Sequence, residues 1–294
     1  MRGREIEIAL FIFGQGAAWD RVGHALAKAY SDRLPGVQAI AKPSGNLDKE
    51  IEAFERRETD LAILDVETAY FAFSAGPHEE TPPRTLRAVA VLFSTAVQIM
   101  ARSDGHIARV ADLRGKRINV GSKGSPTERA ARLILESHGV PFTQIQPTFD
   151  SGEAAEALRT GKLDALFLYS PFQNPLIVEM AGANRARLIP IDRATVAAIQ
   201  EQHHFLKAIT IPGGTYKNQD DDLLTVGMDV LLVCREDLPE PLVYDLARTL
   251  FDAVPLLAQA HASAQGIDPD RGPTAAIPLH PGAARYYRER EILK

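Results

Sequence analysis

Blocks of apolar residues follow one another along this chain with two different periods. Residues 6–13 form a nearly continuous apolar run, bounded by Gly14-Gln15-Gly16. A short run closed by small residues predicts a buried strand. From about residue 20 to 34, Val22, Leu26, Ala29 and Tyr30 recur at the spacing of one helix face, and Pro35-Gly36 stops the pattern. Residues 37–41 predict a second strand, Ser44-Gly45-Asn46 opens a helix running through residue 57, and residues 61–64 predict a third strand. Strand, small polar loop and helix in alternation predict a parallel sheet, with the loops at the strand ends gathered on one edge.

Past Gly76 the prolines Pro77, Pro82 and Pro83 mark extended chain. Residues 86–93 and 97–101 read as strands, and the alternation then restarts. It predicts a strand at 117–120, a helix to 137, a strand near 145–149, a helix over 152–160 and a strand at 165–169. Residues 225–234 are a late apolar run, and one long helix is expected from Pro239 to about residue 264. The fold class is therefore α/β with two lobes, each a mostly parallel sheet flanked by helices. Lobe 1 takes residues 1–97 and 230–294, lobe 2 takes 98–229, and the chain crosses twice at hinges near 97–102 and 225–235. A ligand cleft between the lobes is the expectation.

Composition narrows the function. The 294 residues are 45% hydrophobic and 24% charged, ordinary for a globular chain. Net charge is −5 with no dense basic run, which argues against nucleic acid as a partner. The one cysteine, Cys234, excludes an intrachain disulfide and any multi-cysteine metal site, and its apolar surroundings predict a packed thiol. No apolar stretch reaches the length of a membrane span. His203 and His204 are adjacent and no other pair has ligand spacing, so no metal site is expected. No nucleophile elbow, Walker A loop or nucleophile–base pair is present, so neither enzyme activity nor a cofactor is expected.

The stretch Gly121-Ser122-Lys123-Gly124-Ser125-Pro126-Thr127 carries the clearest chemistry. It joins a strand to a helix, and the unsatisfied N–H groups of a helix start, with its dipole, favour an anion there. Ser122, Ser125 and Thr127 can donate to a carboxylate, and Lys123 can add charge. The competing reading of the same serines and threonine is N-capping.

Four segments resemble the TAXI family, solute receptors of a class of TRAP-type transporters. Residues 114–128, Arg-Gly-Lys-Arg-Ile-Asn-Val-Gly-Ser-Lys-Gly-Ser-Pro-Thr-Glu, resemble that family's "LKGKRVSVGPPGSGTE". Residues 187–192 resemble "RLLPID", residues 211–216 "IPAGTY", and residues 278–289 "PLHPGAARYYRE". The first loop departs from the family's "GTGGTYYPLGGALA": Ala17 and Ala18 replace glycine and threonine, Trp19 and Asp20 replace two tyrosines, and Arg21 replaces proline. "QSDVA" becomes Asp65-Val66-Glu67-Thr68-Ala69, and "GGYPNP" becomes the segment 169–175.

The resemblance implies a two-lobe periplasmic binding protein fold of the type II-like kind, and a periplasmic, monomeric, non-catalytic receptor. It would capture a small carboxylate, such as an amino acid or 2-oxoacid, by hinge closure, and present it to a TRAP-type membrane subunit. The N-terminus does not read as a secretory signal. Periplasmic location then implies a leader outside this chain, and a cytoplasmic location is the alternative. The rival functions are a two-lobe enzyme and a small-molecule sensor on the same fold. Expected ligand-binding residues are Gly14, Gln15, Gly16, Trp19, Ser44 and Glu67 in lobe 1. In lobe 2 they are Ser122, Ser125, Thr127, Tyr169, Phe172, Asn174, Thr215 and Tyr216. For Trp19, Tyr169 and Phe172 the competing reading is core packing. Asn174 can equally be a turn former, and Asp20, Asp65 and Glu67 exposed carboxylates.

Overall fold

The apolar run at the N-terminus is strand β1 (Ile6–Phe13), with Ile8, Leu10 and Ile12 buried. The computed structural model of the protein describes residues 6–13, 18–44, 51–54, 56–74, 86–148 and 153–294. By their contacts the residues divide into two compact units, Met1–Ser94 with Asp229–Lys294, and Thr95–Met228.

In the first unit, helix α1 (Ala18–Arg33) and strand β2 (Val37–Ser44) follow β1. β1 pairs in parallel with β2 and with β3 (Leu61–Asp65). β2 continues through Pro43, beyond the expected end at residue 41. It lies at the edge of the strand order, where a missing N–H donor is tolerated. Residues 51–54 are helical within the expected second helix. Helix α2 (Val66–Phe73) starts directly from β3.

The two expected strands at 86–93 and 97–101 are one long strand, β4 (Leu86–Arg102), and the late apolar run is β10 (Leu223–Arg235). Each contributes one part to each unit. β10 pairs antiparallel with β3, from Val230↔Asp65 to Cys234↔Leu61. The order in this unit is β2-β1-β3-β10-β4. Cys234 is buried, and desolvation pushes its thiol far above the usual range, leaving an inert packed group.

The expected single helix after Pro239 is two, α7 (Glu240–Asp252) and α8 (Val254–Ala260). Pro255 has no N–H to continue the first helix, so the chain turns at Ala253 and restarts. Helix α9 (Pro281–Glu289) closes the unit.

The second unit holds β5 (Arg117–Asn119), α3 (Pro126–Ser137), β6 (Gln146–Thr148) and α4 (Ala154–Arg159). Then come β7 (Ala165–Ser170), α5 (Pro175–Gly182), β8 (Ala186–Ile189), α6 (Arg193–Gln202) and β9 (Lys207–Ile211). β5 pairs in parallel with β6 and β7, the strands linked by crossover helices. β4 pairs antiparallel with β7 and β8, and β10 antiparallel with β9. The sheets are therefore more mixed than the alternation predicts, because the long strands shared by both units run against their neighbours. Met100, Leu158, Leu166, Ile177 and Met180 form part of this unit's core.

Candidate functional site

At the end of β5, Asn119 organises the loop that follows. Its side-chain oxygen accepts from the Gly121 N–H (3.1 Å) and its amide donates to Thr148 Oγ1 (3.2 Å). Gly121 has φ +80°, and a Cβ there would lie 2.7 Å from Thr127 Cβ, so both backbone and space demand glycine. The Ser125 N–H donates to Ser122 O (3.0 Å). Ser125 then caps α3, its Oγ accepting from the Glu128 N–H at 3.2 Å.

The Glu128 carboxylate accepts from the Gly124 N–H (2.6 Å) and from Arg132 (3.0 Å). These bonds, the Gly124 one foremost, hold its carboxyl below the usual range. The loop thus already carries one carboxylate of its own at the helix start. Ser125 has the capping role and Ser122 is exposed. Thr127 makes no side-chain hydrogen bond among the described residues.

At the end of β7 the candidates gather around a residue that motif and loop reasoning passed over. Gln98 on β4 is 1% exposed. Its amide donates to Ser170 O (3.2 Å), Ser170 Oγ (3.0 Å) and Pro171 O (3.2 Å). Its carbonyl accepts from the Tyr216 hydroxyl. Burial raises the Tyr216 pKa, against the opposing pull of backbone hydrogen bonds from Asn174 and Gln173. Asn174 caps α5 through the Leu176 N–H (3.0 Å) and donates to Ser170 Oγ (3.2 Å). Gln173 adopts φ +57° between these anchors.

Tyr216 is therefore a buried strut that shapes the 170–175 loop from below. Gln219 holds the turn before it, donating to Ile211 O, Pro212 O and Asp221 O while accepting from the Tyr216 N–H. Thr215 donates to Pro212 O (2.6 Å) within that turn. Phe172 packs against the core of its unit, and Tyr169 is half-buried on β7. The structure thus brings Asn174 and Tyr216 together through Gln98 and Ser170. The available signal for Gln98 was a lone amide inside the apolar run 96–101.

In the first unit Trp19 lies in the first turn of α1, 8% exposed, within the apolar core that includes Val22, Leu26 and Tyr30. That is the place the core-packing reading gives it, because its position follows the helix face and not the preceding loop. Asp65 is fully buried and caps α2, accepting from the Thr68 N–H (2.7 Å) and hydroxyl (3.0 Å). It is not the exposed carboxylate its loop position suggests. Glu67 sits in the first turn of α2, where a carboxylate complements the helix dipole. Asp20 lies in the first turn of α1 beside His24 (3.3 Å). Gly14, Gln15 and Gly16 lie outside the described residues. Ser44 ends β2, and its side chain lies outside them too. Among the described residues no group of three His, Cys, Asp or Glu side chains is placed to hold a metal ion.

The model of the NMT1-like family matches residues 14–290. Solved structures share the fold at low identity. MatC from Rhodopseudomonas palustris, with bound malate, is 15% identical at a TM-score of 0.60, covering 98% of this chain and 99% of that one. A TctC solute binding protein from Polaromonas is 17% identical at a TM-score of 0.59, covering 99% of each chain. The alkanesulfonate-binding protein SsuA from Xanthomonas axonopodis pv. citri, bound to MOPS, is 15% identical at a TM-score of 0.53, covering 99% and 96%.

Proposed function

Because the chain belongs to the NMT1-like family, we propose that it is an extracytoplasmic solute-binding receptor that delivers a small carboxylate to a membrane transporter. The observation that carries this is the family match over residues 14–290, nearly the whole chain. The ligand class draws support from MatC, which holds malate on the same fold, and from the helix-start loop after β5. An amino acid or a 2-oxoacid is the ligand in this reading. The membrane partner is of the TRAP type and the receptor acts as a monomer, both following the TAXI resemblance of residues 114–128 and 278–289.

The parts divide as follows. Ser122 and Thr127 supply hydroxyl donors to the ligand carboxylate, and Ser125 keeps the helix end in place. The 170–175 loop, braced by Gln98 and Tyr216, offers Gln173 and Asn174. Gly14, Gln15, Gly16 and Glu67 are the lobe 1 contacts in this reading, with Glu67 suited to a ligand ammonium. Closure of the lobes by hinge rotation converts binding into a shape the transporter recognises.

Titration calorimetry with glutamate, 2-oxoglutarate and malate tests this. Thr127→Ala should weaken the tightest of them by about 1.5–3 kcal/mol, the value of a hydrogen bond to a charged group, with little loss of stability. Ser125→Ala should instead lower stability by about 1 kcal/mol through the lost cap. If Ser122→Ala and Thr127→Ala both bind as wild type does, the carboxylate is held elsewhere.

A further inference from the structure

The second unit carries another place where hydrogen-bond donors converge, away from the loops just described. An open cavity of about 400 Å³ is lined by Arg102, Ser103, Asp104, Arg159, Asn184 and Arg185. The strand registers locate it. Ala101 pairs with Ala165 at the start of β7, and Arg102 with Ala186 at the start of β8. The loop site grows from the other end of the same strands, after Asn119 and Ser170. The cavity therefore sits at the opposite end of this unit's sheet.

Its lining holds three guanidinium groups and one carboxylate, in a chain whose net charge is −5. Two of the arginines have local partners. Arg102 donates through Nε to Asp104 Oδ1 (2.8 Å), and Arg159 donates through Nε to Glu156 Oε2 (2.7 Å). Arg185 makes no side-chain hydrogen bond or ion pair among the described residues. Asn184 is held at φ +56°, and its carbonyl is taken by the Asn218 amide, so its own amide remains as a donor. Ser103 adds a hydroxyl. The wall is thus rich in donors, and its one carboxylate is already paired with Arg102. A guanidinium with no hydrogen-bond or ion-pair partner among the described residues can give its planar fork of donors to a planar or tetrahedral oxyanion.

We propose that this cavity binds a small oxyanion bearing two or more charged oxygens, such as a phosphate or a polycarboxylate, independently of the loop site. Arg185 is the principal contact, and Asn184 and Ser103 orient the ligand. Calorimetry with inorganic phosphate at low ionic strength, on the full chain, reads this directly. Wild type should bind, and Arg185→Gln should bind roughly tenfold or more weakly. Arg185→Glu should abolish binding, and rising salt should weaken the wild type.

Amide NMR should place the phosphate-induced shifts at Ser103 and Asn184. Thermal melts of Arg185→Gln should match wild type, since that side chain has no hydrogen-bond or ion-pair partner among the described residues to lose. Thr127→Ala should bind phosphate unchanged. Equal affinity in wild type and Arg185→Gln, or absence of phosphate binding by wild type at millimolar concentration, overturns the proposal. Loss of phosphate binding in Thr127→Ala with Arg185→Gln unaffected also overturns it, and leaves the transport reading standing.

Discussion

A glutamine in the middle of a strand must find partners for one carbonyl and one amide, and Gln98 finds them on two different segments of its unit. An unpartnered buried amide would cost about 1–3 kcal/mol, so these bonds specify where the 170–175 loop and Tyr216 sit. His280 plays a similar part in the first unit. It is 1% exposed, accepts from the Gly282 N–H through Nδ1 (3.1 Å), and donates through Nε2 to Glu236 O (3.1 Å). The Nδ1 bond needs the neutral ring, and burial is the main cause of a pKa below the usual histidine range, against the Glu236 carbonyl, which favours the charged form. The folded chain then binds fewer protons than the unfolded chain once pH falls below about 6.5, the ordinary histidine value. Stability should therefore drop as pH falls through that value. Urea titrations at a series of pH values should show a shallower acid-side slope for His280→Asn than for wild type. Equal slopes would mean that His280 does not set this dependence.

Among the elements, α9 explains why its motif reads Pro-Leu-His-Pro-Gly-Ala-Ala-Arg-Tyr-Tyr. Leu279 bridges Ala88 on β4, with the Ala88 N–H donating to Pro278 O and the His280 N–H to Ala88 O, both at 2.9 Å. Pro281 starts the helix where its missing N–H is harmless. Tyr287 donates to Val89 O (2.9 Å), and Tyr286 stacks on Phe251 of α7 with ring centroids 5.4 Å apart. Gly282 lets α9 lie against α7: a Cβ there would be 2.3 Å from Glu240 O and 2.7 Å from Tyr244 N. Backbone cannot yield as a side-chain tip can. Gly282→Ala should therefore force the two helices apart and cost about 1–3 kcal/mol in chemical denaturation. An unchanged midpoint would show that the helix pair is looser than this contact implies.

At the scale of the whole molecule, the chain passes from one unit to the other between Ser94 and Thr95 and between Met228 and Asp229. On the first-unit side, Ser94 donates to Asp229 (2.9 Å), and Arg271 donates to both Asp229 (2.8 Å) and Ser94 (3.0 Å). Asp229 is 3% exposed, so its carboxylate relies on the arginine for compensation. Arg271 thereby ties residues 262–274, a stretch of short turns, to the point where both long strands leave the first unit. Arg271→Met should destabilise the fold by about 3 kcal/mol, as breaking a buried pair from one side does. Combining it with Asp229→Asn should recover part of the loss, because no buried charge is then left. A single variant that melts with wild type would show that water already screens the pair.

Much of the order of elements up to β7 was legible in the sequence, because hydrophobic period and turn residues are local properties, whereas α2 and the elements from α5 to β9 were not. Period and turn residues located β1, α1, α3 and β7 to within a residue or two, and offered N-capping as the alternative role of Ser122, Ser125 and Thr127. Local pattern also exposed the helix-start loop at residues 121–127. It did not separate a binding hydroxyl from a capping one, since the same serine chemistry serves both. Trp19, Asp65 and Tyr216 show the limit most clearly. Each sits beside a loop in sequence, yet Trp19 packs into the core with Tyr30, Asp65 is buried as the cap of α2, and Tyr216 reaches Gln98, far away along the chain. The fusion of residues 86–102 into one strand, and its antiparallel pairing, likewise depend on which distant strands lie alongside. Residue order sets periodicity and caps. Which polar atoms meet is decided only when segments far apart in sequence close on one another.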